Sequence, residues 1–249
     1  MKKIEAERKR LRSQIGKELV ELGNLLRTYN VCSDIVPLQS ASSECRDRID
    51  DRWGYNFSGL TMHVGAGVKC RPTRVQRFEC RLDVAVEGLC PPTIQTDPLL
   101  HHKVEIELKA PGAAGKPSFL QAWHFDRHSD EDGIPKLAHP RYHFSFGGKR
   151  LENHLDEFGS QHIDGILLLD SPRLAHPPFD GVLAIDFVLS NFAGAQWQTL
   201  RALPEYRRIV TNAQERLWLP YVQALHAHWD ADAHTKKKWL AAELWPHIH

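Results

Sequence analysis

The chain has 249 residues, 42% of them hydrophobic and 25% charged, which is ordinary for a globular protein. Its formal net charge of +1 gives no overall pull toward nucleic acid or an anionic membrane, so neither is expected as a partner. Its five cysteines are odd in number, irregularly spaced and without a CxxC pair, which argues against a disulfide framework and against a zinc ribbon. The opening MKKIEAERKRLRSQ has no apolar segment behind its basic residues, and no stretch has the apolar length that spans a bilayer. A cytoplasmic protein is expected.

Residues 2–29 predict a helix, because Ile4, Leu11, Ile15, Leu19, Leu22 and Leu26 recur at helical spacing between charged residues. That stripe could pack on its own domain, or serve a partner or a homodimer as a short coiled coil. Residues 31–58 are mixed and read as a loop with short elements. The period then changes to two. Alternation predicts strands at 75–87, 103–109, 118–126 and 141–146, punctuated by Pro and Gly clusters. This is the pattern of an antiparallel meander with one buried face.

GILLLD at 165–170 reads as a short buried strand or an apolar connector, and SPRLAHPPFD as a proline-rich turn. Residues 179–192 form a nearly all-apolar helix, as expected for one buried on most sides. Helix is also predicted over 204–219 and 221–229, interrupted at Pro220, and over 231–245. The fold class is therefore α+β: an N-terminal helix, a four-strand antiparallel meander and C-terminal helices. Residues 1–192 are read as the core domain and 193–249 as a helical extension packed on it.

The compositional outlier is histidine, with fifteen residues, most of them between His101 and His176. By alternation, Glu105, His124 and His143 all point away from the face that bears Ile106, Trp123 and Phe144. Two imidazoles and a carboxylate suit either a divalent metal such as zinc or acid–base work. Asp126 and His128 lie at the end of the third strand, and His139 just before the fourth. The candidate catalytic set is thus Glu105, His124, His143 and His139, with Glu105, His124 and His143 as ligands if a metal binds. A one-residue slip in register would move each of these side chains to the other face.

Other features carry less chemistry. His124 with His128 and His139 with His143 have the spacing of helical metal pairs, but their surroundings are strand-like and no HExxH occurs. Asp186 sits inside VLAIDFVLSNF and needs a partner, for which Arg173, His176 and Arg141 are candidates. Cys80 shares its parity with Phe78, Leu82 and Val84 and reads as a core thiol. Cys70 and Cys90 lie near turns. Neither GAG at 65–67 nor GG at 147–148 has the spacing of a phosphate loop.

The order of elements, together with His139-Pro140-Arg141 and the YHFSFGGKRL that runs on from Arg141, resembles ubiquitin-conjugating enzymes, whose corresponding motif is His-Pro-Asn. The asparagine is Arg141 here and no cysteine follows Cys90, so the family's thioester cannot form at its usual place. SPRLAHPPFDGVLAIDFVLSNF, with Leu-Trp-x-Pro-Tyr at 217–221, also resembles an uncharacterised bacterial family named for shared Cys, Glu, His and His residues. Its genes neighbour those of ubiquitin-like modifiers. The resemblance implies Cys80, Glu105, His124 and His143 as the shared residues.

Together these imply a component of a bacterial ubiquitin-like conjugation system, in antiphage defence, whose partner is the ubiquitin-like modifier or its activating enzyme. Two other readings remain. One is a metal-dependent hydrolase or nuclease using the same His/Glu cluster. The other is a non-catalytic adaptor that binds through its N-terminal helix.

Overall fold

The computed structural model describes residues 2–65, 77–90, 97–110, 119–128, 138–147, 162–163, 166–167, 173–229 and 241–246. In chain order the elements are α1 (Lys2–Thr28), α2 (Val36–Asp47), β1 (Arg52–Val64), β2 (Phe78–Leu89), β3 (His101–Ala110), β4 (Phe119–Arg127) and β5 (Tyr142–Phe146). There follow β6 (His162–Ile163), β7 (Ile166–Leu167), β8 (Leu174–Ala175), α3 (Gly181–Phe192), α4 (Gly194–Ala202), α5 (Pro204–His226) and α6 (Ala241–Leu244). The architecture is α+β. It differs from expectation in the sheet, which has six antiparallel strands in the order β1-β2-β3-β4-β5-β8 rather than four.

The first extra strand lies where a loop was expected. Residues 31–58 hold α2 and the start of β1. The alternation in β1 is real but broken. Trp53, Tyr55 and Phe57 are buried on odd positions, and Leu60, Met62 and Val64 on even ones. The parity flips at a bulge, where Ser58 and Gly59 together oppose Asp83. Gly59 has φ +75°, a conformation open to glycine and strained for other residues. Asp83 Oδ1 fastens the bulge by accepting from the Gly59 amide at 2.6 Å and the Ser58 hydroxyl at 2.9 Å. The second extra strand is β8, too short to show a period; it pairs His143 with Ala175 and Phe144 with Leu174.

One face of the sheet is apolar and carries the helices. Cys80, Leu82, Val84, Val86, Val104, Ile106, Leu108 and Phe125 are buried there in one cluster with α1, α3 and α5. Ile15, Leu19, Leu22 and Leu26 of α1 belong to that cluster. These four residues of the stripe pack inside the chain's own core, while Ile4 near the start of the helix is exposed. Residues beyond 192 join the same cluster through Leu200, Tyr206, Ile209, Leu217, Tyr221 and Leu244.

At the start of α3, Asp180 accepts from the Leu183 amide as an N-cap. It also pairs with the buried Arg216 of α5 at 2.6 Å, and Arg216 reaches Glu18 of α1 at 3.5 Å. Helix α5 runs through Pro220 without the expected interruption. A proline there removes one helical hydrogen bond, but Leu217, Tyr221 and Ala224 on either side are buried and hold the helix in place. Asp186 is not paired with Arg173, His176 or Arg141. Its Oδ1 accepts from Trp197 Nε1 at 2.8 Å and Tyr206 Oη at 2.9 Å. Of GILLLD, Ile166–Leu167 forms β7 and pairs with β6, while 165 and 168–170 lie outside the described residues. Of 231–245, α6 is described and 231–240 lie outside.

Candidate functional site

The site is built by register on the sheet face opposite the helices. Antiparallel pairing sets Glu105 across from His124, Asp126 across from His143, and His143 across from Ala175. Paired residues share a face, and so do residues two apart on one strand. His124, Asp126 and His143 therefore cluster, with one ligand atom of each within 4.8 Å of the other two. His143 is buried, and His124 and Asp126 are half-buried. They line a pocket of about 240 Å³ together with Arg127, His128, His139 and Arg173.

The contacts are specific. His143 Nε2 lies 2.6 Å from Asp126 Oδ1, and His124 Nε2 lies 3.7 Å from Asp126 Oδ2. His143 Nδ1 faces the Pro140 carbonyl oxygen at 3.2 Å, a partner only for an N–H donor. The Nδ1 hydrogen is thereby assigned, and Nε2 of that tautomer presents a lone pair to a carboxylate oxygen. Both atoms can serve as ligands to a divalent cation. The ring of His139 stands 4.5 Å from that of His143 and 4.5 Å from that of His128.

Electrostatics favour the metal-binding forms of Asp126 and His124. Burial pushes the Asp126 carboxyl up, but its hydrogen bond to His143 and the neighbouring His143, His124 and His102 together bring it below the usual carboxylate range. Burial pulls His124 down, which outweighs the upward pull of Asp126. His139 is lowered to about 4, first by burial and then by His143, Arg173 and His128. His139 is thus a neutral imidazole at pH 7.

Set against the expected residues, His124, His143 and His139 come together, and Glu105 stands beside them. Glu105 faces His124 across the β3–β4 ladder but pairs with Lys103 Nζ at 3.2 Å. The carboxylate that meets both imidazoles is Asp126. Its signal was present in the sequence: it has the parity of His124 within β4 and is two residues away. Cys80 lies elsewhere. It is fully buried on the helix-covered face, and burial raises its thiol far above the usual range. Cys80 therefore does not belong to this site. Cys32, Cys45 and Cys90 are also buried, and Cys70 lies outside the described residues.

His102 has the opposite parity to Glu105 within β3 and faces the core beside Val86. Its Nε2 accepts from the Phe179 amide at 3.2 Å, and burial lowers it to about 3. Beneath the pocket, Asp97 joins Arg127 at 3.0 Å, Arg141 at 3.5 Å and the Tyr142 hydroxyl; Arg141 also meets Glu243 of α6 at 2.6 Å. The charges of Arg127 and Arg141 are therefore matched by two carboxylates.

Compared with known proteins, the chain matches no family model, no curated protein and no solved structure. The reading of the site rests on its own geometry.

Proposed function

We propose that the chain is a metal-dependent hydrolase in which His124, Asp126 and His143 hold a divalent ion such as zinc. The observation that carries this reading is the 2.6 Å approach of His143 Nε2 to Asp126 Oδ1 while Nδ1 is engaged by Pro140. A metal-binding histidine is commonly oriented by its other nitrogen donating to a carbonyl or carboxylate. Two histidines and one carboxylate leave coordination open, as catalytic rather than structural zinc sites do.

Tetrahedral bonds of about 2.0–2.2 Å place neighbouring ligand atoms roughly 3.4 Å apart. One ligand atom of each residue lies within 4.8 Å of the other two, so side-chain shifts of up to about 1.4 Å would close the set around an ion. A bound ion would supply Lewis acidity and lower the pKa of water beside it. His139, neutral and adjacent, would take the proton from that water. Asp126 would keep the two imidazoles oriented and offset part of the ion's charge.

The test is elemental analysis of protein purified without a histidine tag, followed by zinc titration by calorimetry. About one zinc per chain is expected, lost in the His124→Ala/His143→Ala double variant. A folded wild-type chain that takes up no zinc, manganese or iron would overturn the reading.

A place in ubiquitin-like conjugation stays a second proposal. It is favoured by the sequence of N-terminal helix, meander, His139-Pro140 and C-terminal helices. Among the described residues the cysteines are all buried, so in that setting the chain would act through the histidine site or as a non-catalytic partner of the modifier or its activating enzyme. Co-purification with a ubiquitin-like modifier or its activating enzyme would support it, and its absence from such complexes would count against it.

A further inference from the structure

Among the described residues, the pocket has a cation, Arg173, that the metal site does not account for. Arg173 lines it and is exposed. It lies one residue before β8, and by alternation it shares the face of Ala175, which is paired with His143. Its charge reaches both His124 and His139. Among the described residues no carboxylate pairs with it. The other arginine of the pocket, Arg127, is matched by Asp97.

We propose that the pocket binds the phosphoryl group of a phosphomonoester, held between Arg173 and the metal ion. This deepens the hydrolase reading and rests on it. Arg173 at +1 and Asp126 at −1 cancel, so a divalent ion would bring a net +2 to these groups. That complements a phosphomonoester dianion. A guanidinium presents forked donors that fit phosphate oxygens in pairs, whereas a neutral carbonyl substrate would leave it unmatched. The pocket is also small: about 240 Å³ accommodates a phosphoryl group with a short alcohol and not a buried polymer. Hydrolysis consumes one water. Its oxygen joins phosphorus, the ester P–O bond breaks, and the two protons end on the departing alcohol and on the released phosphate.

The experiment titrates inorganic phosphate into the zinc-loaded chain by calorimetry, for the wild type, Arg173→Ala and Arg173→Lys. It then measures p-nitrophenyl phosphate turnover for each. Expected are an unchanged zinc affinity in both variants and a phosphate affinity at least tenfold weaker in Arg173→Ala. Arg173→Lys should recover part of that loss, and KM should rise more than kcat falls. Phosphate binding within twofold of wild type in Arg173→Ala overturns the proposal while leaving the metal site standing. A wild-type chain that binds no zinc overturns both together. Arg173 is exposed, so its replacement is not expected to disturb folding, and matched melting curves check this.

Discussion

His143 Nε2 and Asp126 Oδ1 lie 2.6 Å apart across the β4–β5 ladder, with His143 Nδ1 turned to Pro140. This pair divides the site into residues that hold a cation and residues that stand beside it. Asp126→Ala or His143→Ala should weaken zinc by at least about a hundredfold, since each removes a direct ligand. Glu105→Ala should change zinc affinity by less than about tenfold, because Glu105 is engaged with Lys103 and acts on His124 from a distance. Zinc titration of the three variants decides the matter. If Glu105→Ala were as damaging as Asp126→Ala, the ligand set would be mistaken.

Acid should destabilise the fold through His102. This residue is wholly buried and lowered to about 3 in the folded chain, against an ordinary value of 6.5. Protons therefore favour the unfolded chain. Stability is unaffected by His102 above pH 6.5 and falls as pH drops from 6.5 toward 3, by about 1.4 kcal/mol per pH unit at most. Urea denaturation from pH 7 to pH 4 should show this slope. His102→Gln keeps an acceptor for the Phe179 amide and should flatten the slope. An unchanged slope in that variant would assign the acid sensitivity to other groups.

The thiols should be inert in the folded chain. Burial raises Cys32, Cys45, Cys80 and Cys90, Cys45 to about 11. A thiol-specific chromogenic reagent should therefore modify these four slowly in native protein and rapidly in denaturant. Cys80→Ala should leave zinc binding unchanged and cost about 1–2 kcal/mol through the small cavity it opens. Loss of zinc in Cys80→Ala with the fold intact would return that cysteine to the site.

The core also carries a test of its own. Arg216 bridges Asp180 and Glu18, both buried, and its guanidinium lies 5.4 Å from the centre of the Trp53 ring. Arg216→Ala strands two buried carboxylates and should cost about 3–5 kcal/mol. Pairing it with Asp180→Asn and Glu18→Gln should recover part of that loss. Denaturant midpoints of the single and triple variants measure the coupling, and simple additivity would show that the three groups are not an ionic unit.

Much of the fold was legible in periodicity. The 3.6-residue spacing of Ile15, Leu19, Leu22 and Leu26 marked α1, and the alternation of Val104, Ile106 and Leu108 marked β3, because a helix or strand buried on one side writes its period into the chain. β1 was not legible, because the bulge at Ser58–Gly59 switches the buried parity halfway along it. β8 was missed because two residues show no period at all. Alternation also put Glu105, His124 and His143 on the face away from the core, where the structure has them.

The sequence by itself therefore determined the four central strands, β2 to β5, and which way their histidines face. Only the tertiary structure decided which carboxylate meets the imidazoles. Glu105 and Asp126 both share a face with His124, and their chemistry differs little. Asp126 meets His143 because the β4–β5 register sets the two directly opposite, and Glu105 is one strand further away, tied to Lys103. Register is a property of paired strands. It depends on turns and on the burial of the whole opposite face, neither of which any single residue records.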